Sequence, residues 1–323
     1  MADTIIDHPG VDFVPVGRQE IGPAVFQHRL VRAGSAIVIF LALLALVAPE
    51  LTRLHILKEP IQQDQKGLDA DGMPLPASGG YLLGTDNLGR DVLSRVIYGA
   101  RVSLTIGTAA MLLAVFLGLT VGLMAGFYGG KLDLGLMRFT EINLSIPAVL
   151  LAIAFAGLMD GRPIHPYPAA WHWHFLDFQL QRGMVSLFLI IGFVCWPGMV
   201  RVIRAQVLAL KERDFVQAAR ALGASDARII WRHILPNLLP TIIVLAAMTT
   251  ANAILLEAGL GYLGIGMPPP TPTWGAMISD GQPYFIIAPL LVIAPGVAIV
   301  LAVLALNFIG RGLQEALEPH QKK

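Results

Sequence analysis

Six apolar stretches, at about residues 33–48, 102–127, 142–158, 183–200, 238–256 and 286–309, constrain this chain more than any other feature. Hydrocarbon offers no partner to a backbone N–H or C=O, and a helix pairs its own. A span needs roughly 20 residues at about 1.5 Å rise to cross about 30 Å of hydrocarbon. The first stretch must therefore borrow its flanks, and the second must tilt or protrude. With 323 residues, 55% of them hydrophobic and 14% charged, and a mean hydropathy of +0.66, the chain is too apolar for an ordinary soluble domain. The expected fold is an all-α integral membrane protein of six transmembrane helices. Gly118, Gly122 and Gly126 recur every fourth residue in the second stretch. That spacing suits close helix–helix contact, although membrane helices are glycine-rich in any case.

Basic residues set the expected orientation. The connector between the fourth and fifth stretches carries Arg201, Arg204, Lys211, Arg213, Arg220, Arg228 and Arg232, whereas the connector between the fifth and sixth carries none. The positive-inside rule places the first connector and both termini in the cytoplasm. The expected division is a cytoplasmic tail 1–32, a first transmembrane anchor 33–49, an external segment 50–100, a membrane core 101–310 with a polar loop 201–237, and a cytoplasmic tail 311–323. The first stretch starts too far in and runs too long for a cleaved signal core, so it is expected to stay as an anchor. Cys195 is the single cysteine and falls inside a span. It cannot form an internal disulfide, and a structural role is expected.

The polar loop itself reads DFVQAARALGASDARIIWRHILPNLLP over residues 214–240. Phe215, Ala218, Ala219 and Leu222 fall at i, i+3, i+4 and i+7 and share one helical face. Gly223 is placed to stop that helix, Ser225 to cap a second short one with Asp226 in its first turn, and Pro236 to end it. Small residues at Ala218, Ala219 and Gly223 would let another protein's backbone come close.

This pattern resembles the cytoplasmic coupling loop of ABC importer permeases, whose motif reads Glu-Ala-Ala, three residues, Gly, about nine residues, then Ile/Leu and Pro. Gln217, Ala218, Ala219, Gly223, Ile229 and the run His233-Ile234-Leu235-Pro236 stand at those places, with Gln217 in place of the glutamate. Residues 83–101 (LGTDNLGRDVLSRVIYGAR) and 261–275 (GYLGIGMPPPTPTWG) narrow the resemblance to the second permease subunit of the dipeptide, oligopeptide and nickel importers. The resemblance runs from about residue 83 to 319, fits poorly over 160–182, and has Arg311 where relatives commonly carry aspartate. It implies an inner-membrane, multi-pass subunit paired with a sister permease. It also implies two cytoplasmic ATPases that use ATP and Mg, and an external substrate-binding protein that delivers short peptides. A nickel or other metal chelate is the alternative cargo.

Chemistry within the chain itself is expected to be absent. Gly129-Gly130-Lys131 is followed by Leu132 and makes no phosphate loop; neither His-Glu-x-x-His nor Gly-x-Ser-x-Gly occurs. No cofactor, catalytic residue or resident metal is expected in this chain, and no nucleic acid as a partner. A self-sufficient secondary transporter or channel would not need the 214–240 loop and would usually show internal repeats or charge relays. A membrane-embedded enzyme would need a buried nucleophile or metal site.

Few other polar residues invite a role. Asp86, Asn87 and Asp91 could be cation ligands, but a turn feeding an amphipathic helix with Val92, Val96 and Ile97 on one side, lying on the membrane or on a partner, is the favoured reading. His165, His172 and His174 lie among prolines and tryptophans, a composition that suits interfacial anchoring better than metal binding. Glu141 at the start of the third span, and Glu257 beside Asn252 at the end of the fifth, are the candidates for the translocation path, with a structural pairing role favoured. The segment Gly259–Pro270, rich in glycine and proline, is expected to be irregular.

Overall fold

The computed structural model describes residues 28–78, 80–158, 163–164, 178–179 and 183–317. The histidine loop with His165, His172 and His174 lies outside the described residues, as do residues 1–27 and 318–323 of the two predicted tails. The helices are α1 (Arg29–Arg53), α2 (Val92–Tyr128), α3 (Gly130–Ser145), α4 (Ala148–Leu158), α5 (Met184–Lys211), α6 (Asp214–Ala221), α7 (Asp226–Ile229), α8 (Leu235–Tyr262), α9 (Trp274–Gly281) and α10 (Leu290–Leu317). A short strand β1 (Pro163–Ile164) pairs antiparallel with β2 (Phe178–Gln179). Five helical runs are long and apolar enough to cross a membrane: α1, α2, α5, the run Asp226–Tyr262 that ends in α8, and α10. The bent pair α3–α4 makes a sixth crossing if counted as one.

The third span departs from a straight helix over 142–158. It breaks between α3 and α4 with a bend of 94°. Ile146 precedes Pro147 and sits at φ −95°, ψ 129°. The proline ring clashes with a helical conformation at the residue before it, so Ile146 turns extended and the helix must restart.

The second span is longer than the apolar stretch that announced it. Asp91 caps α2 by accepting from the Ser94 amide at 2.8 Å, and α2 then runs unbroken for 37 residues, about 55 Å at the usual rise. Val92, Val96 and Ile97 are therefore not a separate helix lying on a surface. They form the first turns of α2, with Val92 buried against Met277, Ala288 and Leu291.

Glycines decide how the helices meet. A Cβ at Gly118 would stand 2.8 Å from Met199, one at Gly122 2.8 Å from Ile203, and one at Gly126 2.8 Å from Val207. Each step of four along α2 matches a step of four along α5, so the two helices run parallel with their backbones in close contact. The same device places Gly34 of α1 against the Ala305 carbonyl of α10, and Gly275 of α9 against the Ala258 carbonyl of α8. Trp274, fully buried at the head of α9, donates its indole N–H to the Val96 carbonyl at 3.0 Å. As a result, the start of α1, the end of α10 and the connector 212–225 share one end of the bundle. Residues 54–91 and 263–289 share the other.

The 54–91 segment has little regular structure and folds around one carboxylate. Asp86 Oδ1 accepts from the Leu88 and Arg90 amides at 2.9 and 3.0 Å, and Oδ2 accepts from Arg90 Nε at 2.6 Å. Arg95 Nε of α2 lies 3.3 Å from the same oxygen, and the three side chains are only 8%, 6% and 4% exposed. Arg95 also donates to the Pro60 carbonyl at 3.1 Å. Asp86 and Asp91 are thus a turn organiser and a helix cap, and among the described residues no three His, Cys, Asp or Glu side chains are grouped to hold a metal. Nearby, the Tyr81 hydroxyl donates to Asp64 at 2.9 Å. Burial, with that bond to Asp64, pushes the Tyr81 phenol up to about 12.

Two outcomes follow from this packing. Gly122→Leu forces side-chain bulk into the α2–α5 contact and should cost about 1–3 kcal/mol, seen as a lowered unfolding temperature in detergent; an unchanged midpoint would show that the seam is not close-packed. Asp86→Asn keeps the shape of the turn but leaves two buried guanidinium groups without their anion, a loss of about 3–5 kcal/mol. Limited proteolysis should then cut within residues 54–91 under conditions where the parent chain resists.

Candidate coupling site and a cavity

The connector between α5 and α8 is built from local signals that close on one another. Gln217 Nε2 donates to the Lys211 carbonyl at 3.1 Å, satisfying an orphan acceptor at the end of α5. At the end of α6 the Ala224 amide bonds the Ala219 carbonyl and the Gly223 amide bonds the Arg220 carbonyl, both at 3.0 Å. Those two bonds are a Schellman cap. It requires a left-handed residue, and Gly223 supplies it at φ +81°. Ser225 then caps α7 by accepting from the Arg228 amide at 3.4 Å.

Pro236 does not end the second helix as its position suggested. A π-helical turn, Ile230–Ile234, joins α7 to α8, and Pro236 sits in the first turn of α8. Proline lacks an N–H and its ring crowds the carbonyl four residues back; the wider π turn immediately before it makes room for the ring. The connector is therefore rigidly continuous with α8.

The connector has two apolar faces where the sequence suggested one. Val216, Ile229 and Ile234 are fully buried and pack with Phe127 of α2, Met199, Ile203 and Val207 of α5, and Leu238 of α8. Ala219 is half-buried on that inner side, so the shared face proposed for Phe215, Ala218, Ala219 and Leu222 divides. Phe215, Ala218 and Leu222 point away from the chain, and Leu222 is 88% exposed. Trp231 joins them at 71%; a tryptophan between Arg228 and Arg232 was its only sequence signal. The Phe215 ring packs 6.3 Å from the half-buried His233 ring, centroid to centroid. A Cβ at Gly223 would meet nothing within 4 Å, so bulk there collides with no part of this chain. Close by, Arg204 of α5 binds Asp133 of α3 through two bonds of 2.6 Å. This bidentate pair braces the end of the bundle from which the connector projects.

The three proposed path residues do not come together. Glu141 lies on α3 before the bend, exposed and paired with Arg138 at 3.1 Å. Asn252 is exposed on α8, on the side of Met248 and Leu255. Glu257 is fully buried beside the hydroxyls of Ser103 and Thr273, yet neither carboxylate oxygen makes a hydrogen bond of good geometry. Five residues along a helix is about 140° of rotation, which separates Asn252 from Glu257.

At the opposite end from the connector, a cavity of about 390 Å³ opens between the start of α2, the glycine- and proline-rich turn after α8, and α9. Arg90, Arg95, Asn87 and Asp280 line it, with Gly264, Gly266 and Pro268–Pro270 forming the facing wall. Partial burial raises the Asp280 carboxyl, while Arg95 and Arg90 act in the opposite sense.

Comparison with known proteins accounts for this architecture. Residues 118–323 match the binding-protein-dependent transport system inner membrane component family. The dipeptide transport system permease protein DppC of Alkalihalophilus pseudofirmus is 36% identical over 296 residues, covering 92% of this chain and 88% of that protein. The glutathione transport system permease protein GsiD of Pectobacterium atrosepticum is 35% identical over 254 residues, covering 79% and 77%. The oligopeptide transport system permease protein OppC of Bacillus subtilis is 33% identical, covering 92% and 87%. The fold is similar to that in the inward-facing MetNI methionine ABC transporter, with a TM-score of 0.53 at 20% identity over 70% of this chain and 98% of that one. The chain belongs to the family of binding-protein-dependent transport system inner membrane components.

Proposed function

We propose that this chain is the permease subunit of an ATP-driven importer that carries short peptides across the inner membrane. The observation that carries the reading is the connector: Leu222, Trp231 and Phe215 are exposed apolar side chains on a segment held rigidly to three spans. A surface of that kind on a polar, arginine-bearing connector fits a protein partner better than water. The partners of this reading are a sister permease, two cytoplasmic ATPases that bind ATP and Mg, and an external binding protein. The peptide assignment rests on relatives named for dipeptide, oligopeptide and glutathione transport.

The mechanism follows from how the connector is anchored. Val216 and Ile229 fix its inner face to α2 and α5, and the π turn makes it continuous with α8. Movement of a docked ATPase would therefore be passed to α5 and α8 as a rigid displacement rather than absorbed by a loose loop. Both described ends of the chain share the connector's end of the bundle, and the excess of basic residues there supports a cytoplasmic position for that end.

Leu222→Asp tests the docking surface, because a side chain this exposed can change without disturbing its own chain. Membrane abundance and pairing with the sister permease should stay at the parent level, while co-purified ATPase falls at least tenfold and peptide uptake in vesicles is lost. Parent-level ATPase retention and uptake would remove the connector from the coupling role. Orientation is read separately: reporters within residues 211–226 should report cytoplasm and one near Asp69 the outside. A cytoplasmic signal at Asp69 would invert the arrangement.

A further inference from the structure

Helix α3 is a short rod between two backbone breaks. At its start Gly129 and Gly130 stand at φ +66° and +61°, and a Cβ on either would meet nothing within 4 Å. At its end Ile146 turns extended before Pro147. Of its 16 residues only Thr140 is buried, and its packing partners are α2, from which it continues, and α5. A few residues at such breaks can absorb a change of direction in their φ and ψ angles, so neither joint fixes the rod. Its side-chain contacts do.

Those contacts with α5 fall at two points. Toward the proline, the Phe139 ring stacks on Trp196 with centroids 5.8 Å apart, and Met137 packs against the buried cluster of Ala114, Trp196 and Val200. Toward the glycine pair, Asp133 accepts from Arg204 Nε and Nη2 at 2.6 Å each. A rod attached at one point pivots, and attached at two it keeps its direction. The apolar point has no directional bond, whereas the planar guanidinium fork holds the carboxylate in one orientation. The Arg204 and Asp133 side chains are 31% and 15% exposed, so water competes less for them than for Arg138 and Glu141, at 80% and 55%. Arg204 lies about two turns before the end of α5 at Lys211, where the connector begins.

We propose that Arg204 and Asp133 are positioning residues through which movement of the connector reaches the third span. The pair makes α3 part of the body formed by α2 and α5, so that displacement of the connector carries the exposed face of Leu134, Arg138 and Ile142 along with α5. Without the pair, α3 turns about the Trp196 contact and the stroke is lost in its two joints. This inference rests on the coupling role of the connector given above. It adds two residues outside the connector that the stroke needs after an ATPase has docked.

The experiment uses the complete importer in proteoliposomes, the permease pair with its ATPases and binding protein, and reads L-alanyl-L-alanine taken up per ATP hydrolysed. Asp133→Asn should retain its ATPases at the parent level and hydrolyse ATP within about twofold of it, while dipeptide per ATP falls at least fivefold. Arg204→Lys keeps the charge and loses the fork, and should fall between the two. Spin labels at the exposed positions Leu134 and Leu208, in a Cys195→Ala background, report the position of α3 on α5. One narrow distance is expected in the nucleotide-free and ATP-bound states of the parent, and a broadened one in Asp133→Asn. A pair that only stabilised the fold would lower abundance and leave both readouts unchanged in the complexes that form. An unchanged ratio in Asp133→Asn, a lowered ratio with the distance as narrow as in the parent, or loss of the ATPases from that variant would each overturn the proposal. If Asp133→Asn does not assemble, Arg204→Lys is read in the same ways. The two readings fail separately: Leu222→Asp behaving as the parent removes the coupling role of the connector, whereas Asp133→Asn behaving as the parent while Leu222→Asp is inactive removes this pair alone. If the parent takes up no dipeptide, the peptide assignment falls and the spin labels decide this proposal.

Discussion

The contact between α2 and α5 through Gly118, Gly122 and Gly126 is the constraint on which the remaining structure depends. Lipid is as apolar as the side chains it surrounds, so helices in it gain little from hiding hydrophobic surface; they associate through close van der Waals contact. Three glycines in register allow Met199, Ile203 and Val207 to lie directly on the backbone of α2. That fixes where α5 ends, and with it where the connector emerges. Val207 and Ile203 belong to the same buried cluster as Val216, Ile229 and Ile234, so the seam within the membrane and the seat of the connector are one continuous packing.

The other end of the bundle is organised by charge rather than by apolar contact. Asp86, Arg90 and Arg95 are expensive to bury, and a buried ion pair is weak support for stability in itself. What they provide is register: one carboxylate ties the 86–90 turn to α2, and Arg95 ties both to the chain at Pro60. Trp274 fastens α9 to the same helix through Val96. The cavity between these elements is thus walled by rigid groups, with Asp280 standing across it as a second carboxylate for the two arginines.

The connector shows how a short polar segment can be both anchored and available. The eight residues of α6 and its C-cap turn Val216 and Ala219 inward and Phe215, Ala218 and Leu222 outward. The Schellman cap at Gly223 and the π turn before Pro236 remove the slack that a loop would otherwise have. A rigid projection transmits displacement, whereas a flexible one would dissipate it as its own motion.

The helical class, the approximate spans, the left-handed turn at Gly223 and the cap at Ser225 were legible in the residues alone, because each depends on hydropathy or on the backbone preference of one residue and its near neighbours. It also pointed to the glycine spacing in α2, though not to its partner, since α5 supplies Met199, Ile203 and Val207 some eighty residues away. Which face of the connector is buried emerges only from packing: Val216 and Leu222 are both apolar, and hydropathy cannot say which one meets α2 and α5. The same limit separated Asn252 from Glu257, exposed Glu141, and joined Arg90 and Arg95 to Asp280 across the gap between α2 and α9. Burial and charge pairing are properties of residues distant in the chain, and they exist only once the helices have packed.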